Sequence, residues 1–207
     1  MATLGRSSVG RVGGRARGTA PAITPPVLET WMPDPILRVS HRRVADAPPW
    51  ALWESAATVR LEDCRMLGRL VRWRIPGLSG RLTYGELFCR EPFVLLNEDE
   101  CSSVSGLCGR IWTRRRDHLR LDGPEDFMEC REPGIARVLF AHWVEPIGRH
   151  RAALVSRVEI AADDRSARRG VALVRPLIAA FGHLIDREPL AVAAWRAEER
   201  QLGSRIR

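Results

Sequence analysis

Between residues 93 and 162 the hydrophobic residues recur at every second position, and from Ala167 to Ile185 they recur at helical spacing. That switch of period, strands first and one apolar stripe last, constrains the fold more than any other feature. Residues 93–98, 103–113, 127–131, 135–145 and 152–162 read as successive strands. Turn signals separate most of them: Asn97-Glu98-Asp99-Glu100, Pro133-Gly134 and Pro146-Ile147-Gly148. Links this short predict an antiparallel meander. The exception is 114–124, a longer polar loop that opens with Arg114, Arg115 and Arg116. Ala167, Val171, Val174, Ile178, Phe181 and Ile185 then line one side of a helix of about 23 residues, roughly 34 Å long. Asp163 and Asp164 sit at its start, where the helix dipole favours negative charge. Pro176 predicts a kink within it, and Glu188-Pro189 predicts the start of a final helix over 190–201.

Ahead of the meander, five prolines between 20 and 35 predict extended linker. Residues 36–44 alternate as a strand, with Leu37, Val39 and His41 on one face. Asp46 followed by Pro48-Pro49 marks a helix start that carries Trp50, Leu52 and Trp53 into a core. A second helix over 61–73 places Leu67, Leu70 and Val71 together and stops at Pro76-Gly77. Thr83-Tyr84-Gly85-Glu86 has the spacing of a capping box. The reading is one α+β domain over 35–201, with a curved antiparallel sheet of six or seven strands wrapped around a long C-terminal helix. Residues 1–34 are expected to form a basic, Pro-rich tail and 202–207 a short terminal one.

Composition narrows the chemistry. All 33 basic residues are arginine, so Schiff-base, pyridoxal-phosphate and Walker-type phosphate-loop chemistry, each needing a lysine amine, are excluded. The net charge is +8, and half of it comes from Arg6, Arg11, Arg15 and Arg17, which no nearby acid opposes. The remaining arginines are interspersed with acids, which favours solubility or weak nonspecific attraction over a specific nucleic-acid site. No apolar run approaches the roughly 18 residues that cross a bilayer. Cys64, Cys89, Cys101, Cys108 and Cys130 form an odd set without CxxC spacing, read as free thiols in a reducing cytoplasm. No metal and no cofactor is expected.

Several stretches resemble the SRPBCC superfamily, also called START or Bet v 1-like helix-grip proteins. The run from Val44-Ala45-Asp46-Ala47-Pro48-Pro49-Trp50 to Glu54 is similar to that superfamily's first strand leading into a helix. Val104-Ser105-Gly106-Leu107-Cys108-Gly109-Arg110-Ile111-Trp112, Pro133-Gly134-Ile135-Ala136-Arg137-Val138 and Ala194-Trp195-Arg196-Ala197-Glu198 resemble an uncharacterised bacterial branch. The likeness covers about 35–201. It implies an apolar ligand cavity between sheet and helix. That branch usually carries Thr/Ser-Glu-x-Arg on a late strand, whereas Ser156-Arg157-Val158-Glu159 exchanges acid and base here.

Even-numbered positions are assigned inward on the last two strands, since Ala136, Val138, Phe140 and Val144 share a face, as do Leu154, Val158 and Ile160. His142 and Ser156 then stand as polar groups on apolar faces, which is the pattern of a pocket with orienting groups. A core histidine bonded to a neighbour is the competing reading. His142 is also the candidate general acid or base, because an ordinary imidazole titrates near neutrality. Arg110 and Trp112 share a face that points either to a ligand anion or to solvent. The expected ligand-binding set is Arg110, Trp112, Phe140, His142, Ser156, Ile178 and Phe181. Asp163-Asp164 reads as a helix cap. The expected function is binding of a small hydrophobic or amphipathic ligand, with a polyketide cyclase- or dehydratase-like enzyme as the alternative. Nonspecific nucleic-acid association through the arginine-rich tail is a second alternative. A small apolar ligand is the expected partner, with no specific nucleic acid; a homodimer is left open.

Overall fold

The structure is a computed structural model that describes residues 23–74, 77–113 and 117–205, with backbone only at 73–74, 179–186 and 204–205. The expectations placed on 1–22 and on Arg114–Arg116 lie outside the described residues, as do the side chains of Phe181 and Ile185.

Strand β1 (Leu37–Ala45) leads into α1 (Pro49–Ala57), α2 (Arg65–Arg74) and α3 (Tyr84–Phe88). Then come β2 (Val94–Asp99), β3 (Ser102–Gly109), α4 (Pro124–Glu129), β4 (Ala136–Gly148), β5 (Arg151–Ala162) and α5 (Arg165–Arg205). The strands form one antiparallel sheet in the order β1-β5-β4-β3-β2. The meander β2 to β5 is as expected, and β1 closes it by pairing with β5. With α5 packed against β1, β5, α1 and α2, the arrangement is α+β and consistent with a helix grip.

The sheet has five strands among the described residues, where six or seven were expected. Residues 127–131 are the misread stretch: Pro124 occupies the first turn of α4, a position where its missing N–H costs nothing. Asp126 accepts the N–H groups of Asp122 and Gly123 at 2.7 and 3.3 Å and so fixes the start of that helix. Strand β3 also stops earlier than expected, at Gly109. The returning chain crosses there so closely that a Cβ would stand 2.6 Å from the Asp117 carbonyl oxygen. Trp50, expected in the core, is 63 % exposed near the start of α1, while Leu52 is fully buried.

The C-terminal helix is continuous from Arg165 to Arg205, with Pro176 and Pro189 inside it, rather than two helices. A proline removes one main-chain bond, and the loss is offset by the packing of Val171 and Ile178 around Pro176 and of Leu190, Ala193 and Ala194 beyond Pro189. Asp164 caps this helix, accepting the N–H groups of Ser166 and Ala167 at 2.7 and 3.0 Å. Glu188, read as a helix start, instead reaches across to α2 and accepts the N–H groups of Arg65, Met66 and Leu67 at 2.6–3.1 Å. One carboxylate thus satisfies three otherwise unpaired donors of a second helix.

Both faces of the sheet are covered. Toward α5, Leu107, Ala136, Val138 and Ile160 meet Ala167 and Val171, and Val144 and Leu154 meet Leu52, Leu87 and Leu190. On the opposite face Val104, Leu139, Ala141, Trp143 and Val155 are covered by Phe127 of α4 and by Leu28 and Met32. The stretch read as extended linker therefore contains a packed turn, Leu28–Thr30.

Candidate functional site

The alternation within β4 and β5 turns the even-numbered residues toward α5, as the pattern predicts, and pairing then sets them in rows. One row is polar. His41 of β1 lies opposite Ser156 of β5, Ser156 opposite His142 of β4, His142 opposite Ser103 of β3, and Ser103 opposite Glu98 of β2. The neighbouring row is Val39, Val158, Phe140 and Ser105, and the row on the other side contains Leu154 and Val144. A hydrophilic line thus crosses the whole sheet beneath the helices.

Above its centre sits Tyr84, the single tyrosine of the chain. Thr83 and Glu86 form the expected capping box, with the Thr83 hydroxyl accepting from Glu86 N–H at 3.2 Å and the Glu86 carboxylate accepting from Thr83 N–H at 2.9 Å. That box pulls the Glu86 carboxyl below its ordinary pKa and makes Tyr84 the first residue of α3. Its N–H donates to Val59 O at 2.7 Å, which directs the ring down onto the sheet. The Tyr84 hydroxyl oxygen is then 3.0 Å from His142 Nε2. Phe88, one turn later, stacks at 4.9 Å from the His142 ring and 5.1 Å from Phe140, with Phe93 closing the cluster.

These rings fill much of the space between sheet and helices. The cavity that remains measures about 110 Å³ and is lined by Trp53, Tyr84, Phe88, His142, Leu154 and Leu190, with Glu98 and Cys89 exposed at its rim. Drug-sized ligands occupy roughly 300–1,000 Å³, whereas an apolar cavity of about 150 Å³ holds one benzene. The cavity falls below both, so one ring is the upper limit of what it could take. His142 is buried, and desolvation pushes its pKa down to about 4. At pH 7 its imidazole is neutral and hydrogen-bonding, in place of the near-neutral titration expected of a general acid or base.

Of the other expected site residues, Phe140 joins the ring cluster and Ser156 is fully buried beside His142, its hydroxyl without a hydrogen-bond partner among the described residues. Ile178 and Trp112 both pack against the part of the core that contains Ala167 and Val171, and the Trp112 indole lies so close to Gly170 of α5 that a Cβ there would come within 2.3 Å. Arg110 is half-exposed; it donates to Gly134 O at 3.2 Å and to Asp117 at 2.9 Å and does not line the cavity. The exchanged pair near the end of β5 is also accounted for. Glu159 is buried on the outer face and paired with Arg38 of β1, while Arg157 lies over the Trp143 ring at 5.1 Å. Tyr84, Trp53 and Leu190 were missed. The capping box was the available signal for Tyr84, since it fixes which residue begins α3.

No family model matches this chain, and no curated protein matches it. Among solved structures it is similar to an aromatase/cyclase from Streptomyces sp. R1128, at 14 % identity over 80 % of this chain and 95 % of that one, with a TM-score of 0.34. Truncated norcoclaurine synthase from Thalictrum flavum is 15 % identical over 80 % and 93 % of the two chains, with a TM-score of 0.39. A hypothetical protein from Helicobacter pylori is 11 % identical over 88 % and 99 %, also at 0.39. Among the described residues, no helix is long and apolar enough to cross a membrane.

Proposed function

We propose that the protein binds a small molecule, or the end of a larger one, no bigger than a single ring and carrying one hydrogen-bonding group. The observation that carries this reading is the Tyr84–His142 pair at the base of an apolar cavity whose rim is exposed. Apolar walls supply the attraction, and the paired hydroxyl and imidazole reward a ligand that brings a donor or acceptor. Ser103, opposite His142 in the sheet register, adds to the polar lining. The enzymatic alternative draws less support, because an imidazole whose pKa is pushed down to about 4 is a weak proton acceptor and the rim carboxylate Glu98 stands two strands away in the sheet register.

Phenol and toluene form the discriminating probe pair, since they differ by one hydroxyl. Titration by calorimetry is expected to show phenol binding about tenfold more tightly than toluene, a difference of about 1.4 kcal/mol. Tyr84→Phe should erase that preference, and Leu154→Trp should fill the cavity and weaken both probes. Absence of binding by either probe at millimolar concentration, or equal loss of both with Tyr84→Phe, would defeat the proposal.

A further inference from the structure

Helix α5 carries two stripes in its first half, and one of them faces the protein. Ala167, Val171 and Ile178 pack toward the sheet. On the other side Arg165, Arg169, Leu173 and Leu177 step by four and form an exposed ridge about 18 Å long, with exposed Ala172, Arg175 and Pro176 alongside. Leu173 is 77 % exposed, the highest value for a large apolar side chain among the described residues, and Leu177 is 55 % exposed. Neither belongs to the core.

The ridge also carries charge of one sign. Residues 165–185 hold four arginines and no aspartate or glutamate. Arg168 donates to Ala162 O at 3.0 Å, whereas Arg165, Arg169 and Arg175 enter no ion pair among the described residues. The acids just ahead are engaged elsewhere: Asp163 faces Arg131 and Arg137, and Asp164 accepts main-chain N–H groups of Gly134, Ser166 and Ala167. The far end of the same helix is built differently. There the exposed Trp195 is followed by Glu198 and Glu199, and Arg196 and Arg200 are paired with Asp63 and Glu54.

We propose that this ridge docks on the surface of an anionic lipid bilayer, with Leu173 and Leu177 entering the acyl boundary and Arg165, Arg169 and Arg175 lying among the headgroup phosphates.

The two halves of the ridge ask for different surroundings, and a lipid surface supplies both. Leucine gains by leaving water for the acyl layer, and guanidinium groups gain beside lipid phosphates. Arginine and leucine on successive turns allow both with the helix lying in the plane of the bilayer. Nucleic acid would satisfy the arginines and leave the leucines in water. A second copy of the chain would set the same positive charge against itself. A protein interface draws most on aromatic anchors, and residues 165–177 contain none. Among the described residues no helix is apolar enough to cross a membrane, which fits a helix that lies on one.

Vesicle co-sedimentation with the full-length chain provides the test. Vesicles of phosphatidylcholine alone are compared with vesicles that contain about 30 % phosphatidylglycerol. The chain is expected to bind the anionic vesicles about tenfold more tightly, and salt at about 0.5 M should remove most of that preference. Leu173→Ser combined with Leu177→Ser should weaken binding about tenfold, and Arg169→Gln combined with Arg175→Gln about as much. Trp195→Ser, at a similarly exposed position outside the basic stretch, should bind as the wild type does. Replacing Arg6, Arg11, Arg15 and Arg17 by Gln separates the ridge from the N-terminal arginines, and the loss caused by the leucine pair should persist in that background. Equal binding to both vesicles, binding to neither, or wild-type binding by the leucine variant would overturn the proposal. Binding of a DNA oligonucleotide that needs Arg169 and Arg175 but not the leucines would assign the ridge to nucleic acid instead. The wild-type comparison of the two vesicles decides even if a variant fails to fold.

Discussion

The two faces of the sheet are both withdrawn from water, but they manage polarity differently. Toward the helices, the buried polar groups are neutral: Tyr84, His142, Ser156 and Ser105, set in or beside a row that runs from strand to strand. On the outer face they include ions, Glu159 with Arg38 and Arg137 near Asp163, with the partly exposed Arg157 over Trp143 and the neutral Ser102 beside them. The difference follows from access to solvent. Beneath α1, α3 and α5 a charge would have no hydrated partner, so desolvation holds even the imidazole neutral. Outside, Glu159 is buried but Arg38 is half-exposed, so one member of the pair stays in water and the cost of burying the other is offset. A small apolar cavity beside a neutral polar row is consistent with the first of these settings.

The largest test concerns the outer cover. Phe127 is fully buried, and its ring lies where a Cβ on Gly106 would come within 2.5 Å, so it seats directly on the backbone of β3. Phe127→Ala is expected to cost about 4 kcal/mol in chemical denaturation. A loss below about 1 kcal/mol would mean that this face is only loosely covered and that the two faces are not equivalent in packing.

The next test concerns the helix side and is read against pH. His142 has a native pKa near 4 against the ordinary 6.5, so below pH 6.5 the unfolded chain binds a proton that the native chain refuses. The stability linked to His142 is thus complete above pH 6.5 and is lost as pH falls toward 4, by about 3 kcal/mol in all. His142→Gln should flatten that slope between pH 6.5 and 4. The carboxylates Glu86 and Asp164, held down by main-chain N–H donors, lose their share only at lower pH and cancel in the comparison. An unchanged slope in the variant would mean that this face tolerates charge as the outer one does.

The smallest effect is expected at Arg38. Arg38→Met leaves Glu159 buried with only Arg157, 4.0 Å away, and should cost about 2 kcal/mol after allowance for the exposure of Arg38. If urea denaturation showed no difference, the outer pair would be incidental and the contrast between the faces would rest on the helix side alone.

Much of this was legible from the residue pattern, because alternation and helical spacing are local consequences of backbone geometry. The period of two placed Phe140, His142, Ser156 and Val158 on one face, the four-and-three spacing placed Ala167 and Val171 on another, and the capping chemistry of Thr83–Glu86 and Asp164 could be read directly. Residues 127–131 misled because a short apolar stretch has too few turns to separate the two periods, and Pro124 was the better guide. Trp50 misled because an indole next to a buried leucine need not share its face.

What the chain alone determined is which side chains can share a surface, since that depends only on rise and rotation per residue. Which surfaces meet was decided by the tertiary structure. His41, Ser156, His142 and Ser103 form one row only because register aligns four strands. Tyr84 reaches His142 across 58 positions, and Glu188 caps a helix more than 120 positions away. The size of the cavity likewise follows from how Phe88, Phe93 and Phe140 pack together, a quantity fixed by three-dimensional closure and carried by no local period.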